Sequence, residues 1–418
     1  MLYFFIIGSL LVAGYLGRTH HIVLLILKAV PRLHLWLGAI WGRKQKVWAV
    51  SPSAFNLNEK SKVVSDYSSH WWEDDELFQL EKRAIFSKTW LFVTHACRFQ
   101  KPGDYRTFEI AGFSIIVILG KDKKLRSFQN ICRHRAYQVT KKECGRSTVL
   151  GCRYHGWSYD TRGELVKAPE FETVPGFDKS KNALWEVKTK LINSLVFVNF
   201  EATEQVPNLE FGKPIRELEA WNMKDIRCAT EWKVEGTFNW KLAAGDFPLT
   251  SSSHWSTMCS ILPPVFGNRQ KGEALGYAAT IRPLPSGDLL TIRFLPKSPN
   301  ITTIHCCIYT RQGSDAKVER RNLIAKKELR LQVTQMENKQ TRILDGEYTF
   351  SRRKQDELRD LLKVHGDSER RKGMEIHPAA QKGIFTLEGK ADDDFCRELD
   401  ASPNMSVCGA NAKGILDW

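Results

Sequence analysis

No Cys-x-x-Cys pair occurs in the 418 residues, and the ten cysteines are scattered along the chain. That usage excludes a disulfide scaffold and fits reduced thiols. No G-x-G-x-x-G follows a strand-like run, so the chain lacks a dinucleotide loop and cannot draw electrons from a nicotinamide by itself. There is no internal repeat and no low-complexity tract. Zinc-finger spacing and an arginine-rich arm interleaved with aromatics are also missing, so nucleic acid is not an expected partner. The net charge of +15 does not change this. Its bases are interspersed with acids, as in SRRKQDELRDLLKVHGDSERRKG (351–373), which reads as a solvated helical face.

What is present begins with an uncharged tract, MLYFFIIGSLLVAGYLG, followed by a second apolar run, IVLLIL, and then by Lys28, Arg32, Arg43, Lys44 and Lys46. The tract is close to the length of a membrane span and carries no convincing cleavage site. Positive charge on its C-terminal side predicts an N-terminal anchor with the body facing the cytosol. Residues 1–47 are therefore read as a membrane anchor with a basic flank. A cleaved signal peptide is the competing reading, and cysteine ligands further on argue against export.

Residues 48–89 read as a linker and an N-terminal helix. The polar, broken segment 48–75 is the linker, and DDELFQLEKRAIFSKTW (74–90) has helical spacing with Leu77, Leu80, Ile85 and Phe86 on one face. From 90 to 204 the texture is β-rich: YRTFEIAG, FSIIVILG, KLRSFQNI and NSLVFVNFEA are short strands separated by turns. From 205 to 418 helix and strand mix. LLTIRFLP and ITTIHCCIYTRQG are strand-like, and KVERRNLIAKKELRLQVTQMENKQTRIL is a long helical pattern.

The densest signal is CRHRAYQVTKKECGRSTVLGCRYH (132–155), a Cys-x-His and a Cys-x-x-His separated by seventeen residues. Two thiolates, Cys132 and Cys152, can hold one iron of a [2Fe–2S] cluster. Two imidazoles, His134 and His155, can hold the other and raise its potential by removing negative charge. Gly145, Gly151 and Gly156 are expected to supply tight turns. The competing zinc reading lacks its usual Cys-x-x-Cys spacing. Cys144, between the pairs, is expected to be a buried or half-buried thiol, and Trp157 to pack over the cluster. His305 is expected to be a hydrogen-bonded histidine rather than a ligand.

With its flanks NICRHR and CRYHGWSYD, this segment resembles a Rieske [2Fe–2S] domain. The resemblance continues at EWKVEGTFNWK (231–241), which is similar to the opening of the catalytic domain in Rieske-type non-haem iron oxygenases, choline-monooxygenase-like branch. It implies an α+β chain: a β-rich Rieske domain followed by a helix-grip α/β catalytic-type domain, behind the N-terminal membrane anchor. In that family a mononuclear Fe(II) is held by two histidines and a carboxylate. The family's pattern is a carboxylate-x-x-His-x-x-x-x-His run. Counted without gaps from Asn239, its histidine positions fall on Ser253 and Met258. With one inserted residue they fall on His254 and Cys259, with Ser251 at the carboxylate. The third ligand position falls on Asn338. The set implied for the mononuclear iron is thus His254, Cys259 and Asn338, with His254 as the catalytic-site residue.

Two functional readings follow from the resemblance. In one, the chain is an O₂-dependent oxygenase that acts on a small substrate, expected to be apolar because a membrane anchor suits a molecule that partitions into lipid. A separate NAD(P)H-dependent reductase supplies its electrons, and it assembles as a homotrimer. In the other, the cluster and fold persist in an electron-transfer or scaffold protein without the second iron. A pure binding module, with its cavity as a small-molecule pocket, shares the same fold.

Overall fold

The computed structural model describes residues 67–171, 174–201, 225–247, 273–284, 288–311, 318–346 and 350–378. The tract 1–47 lies outside them. The expected membrane placement is corrected on the described residues, where no helix is long and apolar enough to cross a membrane.

The chain enters through two short helices, α1 (Ser69–Glu73) and α2 (Asp75–Glu81). Asp74 caps α2, its carboxylate accepting from the Leu77 N–H at 2.6 Å, with Asp75 and Glu76 in the first turn favouring the helix dipole. The helix widens into a π turn over Lys82–Phe86, which buries Ile85 and Phe86 as the spacing predicts. The linker reading does not extend this far, because Trp71 and Trp72 inside it are buried.

Among the described residues the strands form three sheets. The first is built from β1 (Leu91–His95), β2 (Asp104–Ile110), β3 (Phe113–Leu119), β4 (Leu125–Gln129), β5 (Cys144–Arg146), β9 (Glu186–Ile192) and β10 (Leu195–Asn199). Its order is β1-β10-β9-β4-β3-β2-β5. β10 (LVFVN) is buried at every position, as an apolar run without alternation should be. A small sheet carries β6 (Val149–Gly151), β7 (Ser158–Asp160) and β8 (Leu165–Lys167).

The third sheet, β11-β15-β14-β13-β12, uses β11 (Ile226–Gly236), β12 (Glu273–Ala274), β13 (Ala279–Pro283), β14 (Leu289–Ser298) and β15 (Ile301–Arg311). Alternation sorts its two faces. Leu290, Ile292, Phe294, Ile304, Cys306 and Ile308 share a core with Ala325, Leu329, Val333 and Met336 of a long helix. Leu289, Cys307 and Tyr309 pack instead against Phe92, Leu195 and Phe197 of the first sheet. The third sheet is therefore covered by a helix on one face and by the first sheet on the other.

α3 (Trp240–Asp246) follows β11, and the long helix is α4 (Val318–Leu344). α5 (Arg352–Lys372) is the charged segment read as a solvated face. It has a second character: Gln355, Leu358, Leu362 and His365 form a buried stripe at helical spacing.

The Asn-Trp-Lys run at 239–241 is a buried joint between these elements. Asn239 caps α3 by accepting from the Lys241 N–H at 2.9 Å, and its amide donates to the Trp72 carbonyl at 2.8 Å. Trp240 donates to Glu81 at 2.7 Å. Lys241 is ion-paired to the same carboxylate, with both side chains 1% exposed.

Candidate functional site

The four proposed cluster ligands lie on two loops closed in the same way. In the first, the Cys132 N–H donates to the Tyr137 carbonyl at 2.8 Å, and the Ala136 N–H returns to the Cys132 carbonyl at 3.1 Å. In the second, the Cys152 N–H donates to Trp157 at 2.8 Å, and the Gly156 N–H returns to Cys152 at 3.0 Å. Both turns need a left-handed residue, supplied by Ala136 (φ 53°) and Gly156 (φ 70°). Of the three glycines expected in turns, Gly156 alone has that role. Gly145 and Gly151 sit in strands β5 and β6. A Cβ at Gly145 would come within 2.5 Å of the Tyr105 hydroxyl, so close approach explains it.

The loops bring like with like. Cys132 and Cys152 are 3% and 2% exposed, and neither is in a disulfide. The Cys152 thiol lies within hydrogen-bonding reach of the Cys132 sulfur and, with the Tyr159 hydroxyl, draws that thiol down to about 6. The same interaction, together with burial, pushes the Cys152 thiol up. The two imidazoles meet edge to face at 4.6 Å between ring centroids. Among the described residues no group of three or more His, Cys, Asp or Glu converges on one metal position. A sulfur pair beside an imidazole pair, rather than one four-donor shell, is the donor set a two-iron cluster needs.

The surrounding residues fix these side chains. Tyr159, fully buried on β7, places its hydroxyl 3.2 Å from the Cys132 sulfur and accepts from the Arg133 N–H at 3.1 Å. Trp157 stacks on the His134 ring at 5.0 Å and 10°, and Phe171 meets the same ring edge-on. Tyr154 covers His155 at 4.0 Å. Arg133 lies over Trp185 at 3.7 Å and donates to the Ala183 carbonyl at 3.0 Å, tying the first loop to the segment before β9. Sequence reasoning missed Tyr159, Phe171 and Arg133. The only available signal was the aromatic-rich continuation HGWSYD after the second pair. Cys144 is exposed rather than buried.

A family profile described as the Rieske [2Fe-2S] domain matches residues 89–178, which contain both loops. The chain is 38% identical over 205 residues to the 2-aminobenzenesulfonate 2,3-dioxygenase subunit alpha of Alcaligenes sp, covering 46% of this chain and 50% of that one. It is 30% identical over 190 residues to the carnitine monooxygenase oxygenase subunit of Acinetobacter pittii, covering 44% and 50%. The chain carries a Rieske [2Fe–2S] domain and, over somewhat less than half its length, is similar to large subunits of Rieske-type non-haem iron oxygenases. It spans about half the length of the curated relatives it matches. A solved quaternary ammonium Rieske monooxygenase in its apo form superposes with a TM-score of 0.56 at 23% identity, over 70% of this chain and 89% of that one. That likeness is one of fold.

The positions suggested for a second iron are not brought together among the described residues. His254 and Cys259 lie outside those residues. Asn338 is on the exposed face of α4, while Met336 and Gln340 turn inward. His305 is hydrogen-bonded to Glu231 at 2.7 Å, as expected of a packed histidine.

Proposed function

We propose that this chain is the oxygenase component of a redox system in which a separate NAD(P)H-dependent reductase supplies electrons and a small substrate is oxidised with O₂. The observation that carries the reading is the pairing of Cys132 with Cys152 and of His134 with His155 on two matched loops. When bound, the cluster supplies one-electron transfer at a potential raised by its two neutral ligands. The thiols would release their protons to ligate, and Tyr159 would then donate to the Cys132 sulfur. Trp157 and Phe171 fix the plane of the His134 ring and exclude water from it. The third sheet and α4 are read as the helix-grip catalytic-type domain. A homotrimer is the assembly the resemblance implies.

The substrates in the relatives' names, 2-aminobenzenesulfonate and carnitine, share small size and differ in the body that carries the charge. Size is therefore carried over to this chain. The apolar character expected of the substrate came from the membrane placement and loses that support.

A second reading, an electron-transfer or scaffold protein, is favoured by the exposure of Asn338 and by the non-carboxylate residue there. Total iron per chain on anaerobically purified protein, measured beside the cluster's spectroscopic quantity, separates the two. Iron in excess of the cluster that disappears in His254→Ala, with substrate-dependent O₂ uptake, supports the oxygenase. Iron fully accounted for by the cluster, even after Fe(II) is added back, overturns it. Cys132→Ser and His155→Ala should each abolish the cluster's visible absorbance. A full Rieske spectrum in either variant would remove that residue from the ligand set.

A further inference from the structure

A cleft of about 890 Å³ opens between β2 of the first sheet and the face of the third sheet turned away from α4. This is the opposite face from the one that packs against the long helix. Its walls are apolar at Phe78, Phe108, Leu295 and Pro296. At its inner end lies Arg293, 5% exposed.

The charges around Arg293 do not balance locally. Glu231 is the nearby carboxylate, and it is already engaged. Arg98 donates to it at 2.9 Å, His305 contacts it at 2.7 Å, and Arg106 stands 3.9 Å away. Of the other lining acids, Glu143 and Glu235 are paired with Lys233 and Lys297, and Glu109 is exposed on β2, while Lys82, Arg106 and Lys141 also line the cleft. Arg293 itself contacts the His305 ring nitrogen with one Nη and lies 5.2 Å from the Phe108 ring, and its Nη1 has no hydrogen-bond partner. Burial drives His305 down to about 4, so at neutral pH it adds no charge and can accept from Arg293. A buried guanidinium nitrogen without a partner is costly, and a small shift of the Arg293 side chain, which lines the cleft, would bring Nη1 to a ligand held there.

We propose that this cleft is a binding site for a small organic anion, an aromatic or aliphatic body carrying one carboxylate or sulfonate, with the anionic group on Arg293 and the body against Phe108 and Leu295. Arg106 at the rim adds positive potential along the entry path. The cleft volume lies within the range of small-molecule sites. The cleft lies on the face of the third sheet turned away from α4 and contains none of the residues named for either iron centre, so the proposal does not depend on the oxygenase assignment.

The test uses the full chain with its cluster loaded. Equilibrium dialysis measures binding of 8-anilinonaphthalene-1-sulfonate and of its neutral analogue N-phenyl-1-naphthylamine. The sulfonate is expected to bind saturably at one site, at least tenfold more tightly than the analogue. Arg293→Gln should weaken it at least tenfold, with Arg293→Lys intermediate and the neutral analogue unchanged within twofold. Leu295→Glu, at a half-buried wall position two residues from Arg293 on the same face of β14, should weaken the sulfonate similarly by placing a competing carboxylate in the cleft while Arg293 itself is kept. Hydrogen exchange on the unaltered protein should show protection by the sulfonate over 104–112 and 289–298. Absence of saturable binding, equal affinity for both probes, or protection confined to other segments would overturn the proposal. The exchange and Leu295→Glu results stand even if Arg293→Gln fails to fold.

Discussion

Replacing Tyr159 by phenylalanine should lower the cluster's reduction potential by roughly 40 mV. The hydroxyl sits between the Arg133 N–H (3.1 Å) and the Cys132 sulfur (3.2 Å). A sulfur bound to iron carries no proton, so in the loaded protein the hydroxyl must donate to it while accepting from the backbone. Such a chain of donors is mutually polarising. The hydrogen bond is stronger to the reduced cluster, which is one charge more negative. A hydrogen bond to a charged group contributes about 1.5–3 kcal/mol. If about half of the middle of that range is redox-dependent, the difference is near 1 kcal/mol, or roughly 40 mV at about 59 mV per tenfold for one electron. The ring of Tyr159 is fully buried and phenylalanine keeps its packing, so the cluster should still assemble. Loss of the acceptor for the Arg133 N–H should cost about 1–2 kcal/mol of stability. A potentiometric titration followed by circular dichroism reads the shift. A potential unchanged within measurement error, or raised, in fully loaded protein would refute the assignment of Tyr159 as a donor to the cluster sulfur.

Three other expectations follow from the described contacts. Glu81→Gln leaves the Lys241 ammonium buried without its carboxylate, and breaking a buried pair costs about 3–5 kcal/mol, readable as a fall in urea midpoint at constant slope. Glu369 is partly buried, which alone would raise its carboxyl, but hydrogen bonds from Arg83 and the Ile376 N–H, with the Arg83 charge, hold it down at about 2. Its pKa is lower folded than unfolded, so its stabilising contribution is full above the ordinary glutamate range and is lost as pH falls from there through about 2. Glu369→Gln should flatten that part of the acid-unfolding curve, and an unchanged curve would contradict the pair. Asn338→Ala, on an exposed helix face, should change stability by less than about 0.5 kcal/mol and leave iron content unaltered. Loss of iron in that variant would show that α4 presents Asn338 to a metal after all.

The sequence made some features legible and hid others for identifiable reasons. The ligand pairs are local, two or three residues apart, so spacing alone reveals them. Strands such as Phe113–Leu119 and Leu195–Asn199 are apolar enough that no other element fits. Tyr159 was hidden because its contact with Cys132 crosses between loops. The group formed by Arg98, Glu231, Arg293 and His305 is assembled only by the register of β14 on β15 and β15 on β11, which pairs Arg293 with His305 and Glu231 with Cys307. No periodicity in any one strand announces it. The buried stripe of α5 was masked by its charge content, since Lys and Arg dominate a composition-based reading of the helix. Trp71 and Trp72 were read as linker because the polar residues before them set the local texture.

The Asn-Trp-Lys run deserves a different explanation from the one its position suggests. In sequence it stands just before the place where the family carries iron ligands, so its presence reads as a promise of iron. In the structure its side chains are taken up by packing. Asn239 ties α3 to the carbonyl of Trp72, and its own N–H donates to Gln340 of α4 at 3.2 Å. Trp240 and Lys241 share Glu81 of α2, and the Lys241 carbonyl accepts from Gln355 of α5 at 3.0 Å. Four separate helices therefore depend on three residues. Substitution here would strand a buried charge or an amide, whatever happens downstream. A chain that exchanged its iron ligands for other residues would still need this joint in order to fold. The motif is thus evidence for the architecture of the second half of the chain, and iron content must be argued from the ligand positions themselves.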